Sequence, residues 1–297
     1  MQYDPSIQSG LQKLYREALL RGDSLGVRRA IDQLMISGLG IHAIYLEIIT
    51  PTHTELGELW HSGSIGIADE HLATQITLEQ MDLLKSLGKP RHPLGLKAAI
   101  GVVQDDQHMI GARIVSDFLY LDGWDAQFLG PDNPPEAIEQ FVRDHRPHLL
   151  ALSATLPANL VHLAKSIALV KSIKNRPFII VGGLITQTDP ASAAATGPDA
   201  VVSDPISALG KARESAGLPS TGPTLDQLLQ QLGLRIQEYR KNLGLNQMDL
   251  ALKAGMDRAY ISSLENGKQN ATLAVVLKLA GALGVPLEVL LRDGIPD

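Results

Sequence analysis

A histidine with a carboxylate two residues before it and a glycine three residues after it stands at Asp106-x-His108-x-x-Gly111. Such an imidazole can offer one nitrogen to a metal or ligand while the other donates to the carboxylate. That bond fixes the tautomer and raises the basicity of the free nitrogen. The glycine lets the backbone lie close to a bulky group. Taken alone, the triplet reads first as an ordinary loop histidine beside a carboxylate. Two later clusters bear on it. Ser153-x-Thr155 offers hydroxyls, and Gly182-Gly183 offers bare backbone. Each alone is also what caps a helix or ends a strand. A further group, Trp60-His61 followed by Glu70-His71, combines a flat aromatic face, a neutral ligand and hydrogen-bonding partners. Its ordinary reading is core packing for Trp60 and a solvated first helical turn for the Glu-His pair. The chain has no cysteine, so histidine and carboxylate are its only strong metal ligands.

The elements that must hold these residues follow from hydrophobic spacing. Leu11, Leu14, Tyr15, Ala18 and Leu19 recur at helical period, as do Ile31, Leu34 and Met35, then Ile44, Ile48, Leu56 and Leu59, and finally Leu72, Ile76, Leu83 and Leu84. Four such helices predict an N-terminal four-helix bundle over 1–92. From Lys97 the texture changes to short apolar runs, KAAIGVV, WDAQFLG, HLLALS, PFIIVGG and DAVVS, separated by helical stretches. Strands alternating with helices predict a doubly wound parallel, Rossmann-like sheet over 93–212. Ligands on such sheets lie beyond the carboxyl ends of the strands, where Asp106, Ser153 and Gly182 all fall. A stretch rich in Gly, Pro, Ser and Thr predicts a linker over 213–226, and 227–297 reads as all-α. The fold class is therefore multidomain, α plus α/β plus α.

At 297 residues, 44% hydrophobic and 20% charged, the chain has the composition of a globular protein with two or three domains. Its apolar runs are too short to span a membrane, and the N-terminus lacks a signal-peptide pattern, so a cytoplasmic location without membrane partners is expected. A net charge of −6 argues against nonspecific nucleic-acid binding, yet Arg235 to Lys268 holds six basic against four acidic residues.

Asp-x-His-x-x-Gly, Ser-x-Thr and Gly-Gly, each after its own strand, together resemble the cobalamin-binding domain of the methionine synthase and mutase superfamily. The resemblance implies that the nucleotide tail of cobalamin slots beside Ser153, Thr155, Gly182 and Gly183. His108 would then be the lower cobalt ligand, with Asp106 behind it and Gly111 alongside. The pattern Trp-x9-Glu-His resembles the CarH-type photoreceptors, which hold adenosylcobalamin. By that resemblance Trp60, Ile67, Glu70 and His71 would line the adenosyl pocket. His61 would be the upper cobalt ligand after photolysis, although a solvent-exposed helix-end histidine is the plain alternative.

At the C-terminal end, Gln247, the Ala254-Gly255 turn, Ile261 and Leu264-Glu265-Asn266-Gly267 resemble the helix-turn-helix of the Cro and phage-repressor (XRE) family. A small helical dimerisation module is the alternative. The resemblance implies that Arg258, Ala259 and Ser263 face base edges of a double-stranded operator, with Tyr260 and Ser262 nearby. Gln247, Asn266 and Lys268 would touch its backbone. CarH-type proteins carry a different, MerR-like reader at the N-terminus, so their assembly does not transfer. The resulting expectation is a homo-oligomeric, light-responsive transcription regulator rather than an enzyme. A regulator sensing cobalamin supply or alkylation state in darkness is the alternative.

Overall fold

The computed structural model describes residues 5–219, 225–269 and 271–291. Residues 220–224, in the middle of the expected linker, and 292–297 lie outside them. Two compact units divide the chain, Met1–Leu218 and Pro219–Asp297.

The first unit opens with helices α1 (Pro5–Leu20) and α2 (Ser24–Ile36), then α3 (Ile41–Ala43). A π-helical stretch, Ile44–Ile49, carries α3 into α4 (Thr50–His61), and α5 (Ile67–Leu87) closes the bundle. Asp23 starts α2 by accepting the Gly26 N–H at 2.8 Å. The π stretch has a local cause. Pro51 has no N–H to give to the carbonyl four residues back and its ring crowds that carbonyl, so the turn before it widens. The carbonyl concerned, Glu47, accepts instead from Gln12 Nε2 at 3.3 Å. Tyr15, Leu19, Ile31, Leu34, Ile44, Ile48, Leu56 and Leu84 fill the interior as the helical period requires. Leu14 and Leu72 depart from it: they are 52% and 50% exposed, on the shoulders rather than the centre of their stripes.

The sheet follows with β1 (Lys97–Val102), α6 (Ile110–Leu121), β2 (Asp125–Phe128), α7 (Pro135–His145) and β3 (Leu149–Ser153). Then come α8 (Leu160–Lys171), β4 (Phe178–Gly182), the short helices α9 (Ile185–Thr188) and α10 (Pro190–Ala195), β5 (Ala200–Val201) and α11 (Pro205–Ser215). The five strands are parallel in the order β2-β1-β3-β4-β5. Every residue of β3 is buried, as a strand covered by helices on both faces must be. The order reverses between β1 and β3, and the crevice above that reversal is where such sheets bind ligands.

One boundary differs from the sequence expectation, the start of the linker. The expected domains 1–92 and 93–212 are not independent in packing, since Ile114 and Phe118 of α6 join the bundle interior. Tyr45 Oη donates to the buried Asp117 at 2.8 Å, and Arg113 Nε donates to both oxygens of the same carboxylate at 3.0 and 3.1 Å. The linker does not begin at residue 213. Helix α11 runs to Ser215, and Arg213 is buried against Asp122 at 2.6 Å. Glycine, proline and serine marked the breaker residues beyond the helix, but local composition carried no sign of that distant carboxylate.

The second unit comprises α12 (Leu225–Asn242), α13 (Gln247–Ala254), α14 (Arg258–Glu265), α15 (Leu273–Leu283) and α16 (Leu287–Leu291). Asn246 caps α13 with bonds from Met248 and Asp249, and Gly255 ends it at φ +63°. Asp257 then caps α14. Leu250, Ala251, Ile261, Leu264 and Leu279 form its core. No described helix is long and apolar enough to cross a membrane.

Candidate functional site

The loop between β1 and α6 is built around one carboxylate. Asp106 is 2% exposed, and its Oδ1 accepts both the backbone N–H of His108 at 3.0 Å and the ring nitrogen Nδ1 at 2.8 Å. Its Oδ2 accepts the backbone N–H of Thr155, beyond β3, at 2.7 Å. Burial by itself would push the Asp106 carboxyl up, but the bonds from His108 and Thr155 outweigh it and hold the group below its usual range. The Asp106 bond raises the His108 pKa against the opposing effect of burial, and the charges of Asp106 and Glu70 add to the rise. The imidazole is 57% exposed on the side chain, so with Nδ1 committed its Nε2 is the edge left for a ligand.

The flanking residues lock this loop from below. Asp105 is left-handed at φ +60°, and its N–H donates to Asp132 Oδ1 at 2.8 Å. Its carbonyl accepts from Asn159 Nδ2 at 3.2 Å, and its carboxylate meets His162 Nε2 at 3.1 Å.

Beyond β3 and β4 the chain closes tightly. Gly183, at φ +98°, packs so close that a Cβ would lie 2.2 Å from the Ala154 carbonyl oxygen and 2.8 Å from Ser153 Oγ. Only glycine fits there. A Cβ on Gly182 would make ordinary contact with Val202, while one on Gly111 would meet no protein atom within 4 Å. Ser153 and Thr155 are both nearly buried. Thr155 serves Asp106 through its backbone as well as carrying its hydroxyl to the strand end.

The second group of candidate residues lies at the end of α4 and the start of α5. The Trp60 and His61 rings stack at 5.0 Å with 27° between planes. Trp60 is 37% and Ile67 56% exposed, so both present apolar surface outward. Glu70 accepts from Thr74 Oγ1 at 2.9 Å, with His71 Nε2 3.9 Å from its other oxygen. The Glu70 charge acts on His108, which ties this end of the bundle to the sheet loop. Among the described residues no three His or carboxylate side chains gather as a metal site.

In the second unit Arg258 and Ala259 are exposed on the first turn of α14, and Ser262 and Ser263 are half-buried one turn on. Asn266 and Lys268 are exposed at its end, and Tyr260 packs partly against the core. Gln247 is half-buried and donates to Glu265 Oε2 at 2.9 Å.

Residues 11–85 and 96–206 each match the family described as B12 binding domain, and residues 236–290 match the helix-turn-helix family. The chain belongs to the B12-binding proteins that carry an XRE-type helix-turn-helix. The HTH-type transcriptional repressor CarH of Myxococcus xanthus is 26% identical over 144 residues, 47% of this chain and 47% of the relative. Control protein C.MunI of a Mycoplasma species is 37% identical over 62 residues, 20% of this chain and 84% of that one. The chain thus spans about half the length of CarH, and its likeness to C.MunI is confined to the reader. The monomethylamine corrinoid protein of Methanosarcina barkeri shares the fold, with a TM-score of 0.59 at 18% identity, over 67% of this chain and 95% of that one.

The two B12-binding matches divide the candidate residues between them. Trp60, His61, Ile67, Glu70 and His71 lie in the helical match, whereas Asp106, His108, Gly111, Ser153, Thr155, Gly182 and Gly183 lie in the sheet match. Sequence reading passed over three features: the Asp105-Asp132-Asn159-His162 brace, the Asp117-centred clasp, and the buried ion pair of Glu265, a residue it held only as part of a motif. Glu265 is 3% exposed and binds Arg240 through two guanidinium bonds as well as Gln247. Burial would raise its pKa, and the Arg240 and Gln247 bonds bring it below the usual range instead. The paired left-handed φ angles of Asp105 and Asp132 could have been suspected, since Asp tolerates that region. The long-range partners carried no local signal.

Proposed function

We propose that this chain is a transcription regulator that binds adenosylcobalamin between the helical bundle and the sheet and responds to light. The single observation that carries the reading is that the charge of Glu70, on the bundle, acts on His108, on the sheet loop. His108, tautomer-fixed by Asp106, faces from the sheet, and the stacked Trp60-His61 pair with Glu70 stands on the bundle. The bound group would supply a cobalt–carbon bond that visible light can break. The protein's part is positional. His108 offers Nε2 from below, the Gly183 turn and Ser153 bound the slot beside it, and open space at Gly111 leaves room for a macrocycle edge. Trp60 and Ile67 supply apolar surface above, Glu70 and His71 supply hydrogen bonds, and His61 is the spare imidazole on the upper side. A change in how the bundle sits on α6 would alter the pairing of two copies and hence the affinity of two readers for a two-part operator.

The test is an absorption spectrum of protein loaded with adenosylcobalamin, before and after green illumination, for wild type and His61→Ala. Both should photolyse. Only wild type should show a second imidazole and retain cobalamin after denaturation. Identical illuminated spectra would remove His61 from the upper position. Indifference of both proteins to light would leave a regulator of cobalamin supply or alkylation state.

A further inference from the structure

Helix α2 carries a second stripe that the bundle does not use. Its inward residues Val27, Ala30, Ile31 and Leu34 are buried. On the outer side Leu25 is 72% and Ile36 74% exposed, and no large apolar side chain described in the first unit is more exposed than these. Between them stand Arg29 and Asp32, with side chains 71% and 44% exposed. Positions 25, 29, 32 and 36 follow the alternating four-three-four spacing of a coiled-coil seam, so the four side chains share one narrow edge of the helix. Their order is apolar, cationic, anionic, apolar. Read from the other end it is apolar, anionic, cationic, apolar.

We propose that this edge is the contact through which two copies of the chain pair, with their α2 helices antiparallel about a two-fold axis passing between positions 30 and 31. Reversal brings Leu25 of each copy against Ile36 of the other, and Arg29 against Asp32. Both charges and both apolar residues are matched twice, which is the self-complementarity that a two-fold interface demands. Antiparallel seams pair unlike heptad positions, as here. Within one chain Asp32 already accepts from Arg28 Nε at 2.9 and 3.0 Å, which holds its carboxylate in place along the edge. Arg29 Nη2 is 3.7 Å from Asp23 Oδ2, beyond hydrogen-bond length, so little holds it from the second copy. A helix of 13 residues is about 20 Å long, and one such helix per copy buries less than a standard interface of roughly 1,200–2,000 Å². The pair is accordingly weak in free solution and strengthened when two readers occupy one operator. It stands on α2 alone and holds whichever ligand the cleft takes.

Sedimentation of the full-length protein over a concentration series tests it. Wild type should self-associate reversibly. R29E and D32R should each weaken association by about tenfold or more, because each sets like charges opposite one another. R29E/D32R should restore it, because the exchanged charges still match. A wild type that stays monomeric at its highest soluble concentration overturns the proposal, as does a double variant as weak as the singles. Register is tested separately, since the chain has no cysteine of its own. R29C chains mixed with D32C chains should form a covalent dimer on oxidation, whereas each alone should do so poorly. Equal cross-linking of R29C with itself would sink the antiparallel register even if the charge series succeeded.

Discussion

Asp106 divides its oxygens, one binding the His108 ring and backbone, the other reaching across to Thr155. It therefore sets both the tautomer of the imidazole and its place above the β1–β3 crevice. In His108→Ala, cobalamin should bind more weakly and the spectrum of histidine ligation should vanish; unchanged spectra and affinity would remove His108 as lower ligand. In protein free of cobalamin, His108 should titrate above 6.5 by NMR. Asp106→Asn should lower that value most, and Glu70→Gln should lower it less, because Glu70 acts only through its charge. A raised histidine pKa means that the His108–Asp106 ion pair stabilises the fold fully below pH 6.5 and is lost as pH rises through the raised value. On the reader, Arg258 is exposed at the start of α14, so Arg258→Ala should cost about 1–3 kcal/mol at a specific operator and little on random DNA. A binding curve unaltered on both would exclude Arg258 from base contact. The His108 motif was legible because its partner lies two residues away. Thr155 N–H, Asp132 and Asn159 were not, because they reach the loop from other strands' ends.

The helices and strands follow from apolar spacing almost throughout, since each buries one stripe or two faces against a neighbour. What spacing missed is where one chemical detail overrides the period. Pro51 accounts for the π-helical Ile44–Ile49, which shifts the helical phase of the residues beyond it, Trp60 and His61 among them. A second such detail is the polar core of the bundle, where His53 Nε2 and Thr77 Oγ1 are 2.8 Å apart and Tyr15 Oη lies 3.2 Å from the same oxygen. Burial pushes the His53 pKa down to about 4. Unfolded chains take up that proton near pH 6.5, so stability should fall as pH falls from there to about 4. Denaturant midpoints measured across this window should flatten in His53→Gln relative to wild type. A slope identical in both would show that His53 does not govern it.

The chain's division into two units sets what can be separated from what. Cleavage within 219–224 should release a fragment that still takes up cobalamin and a second that binds a half-site regardless of cobalamin; loss of cobalamin uptake by the first would contradict the boundary at Leu218. The bundle, by contrast, should not survive removal of the sheet, because Ile114 and Phe118 complete its interior. Composition located the breaker-rich junction between units but could not reveal this shared core, which depends on side chains far apart in sequence. Helix α6 is the member common to both halves. Its first turn adjoins the His108 loop, and its end, about 18 Å away, leads into Asp122, which grips Arg213 on the last helix before the junction. A rigid rod with one end beside His108 and the other tied to Arg213, on the last helix of the first unit, would act as a lever arm, turning a small tilt at the His108 loop into travel at Arg213.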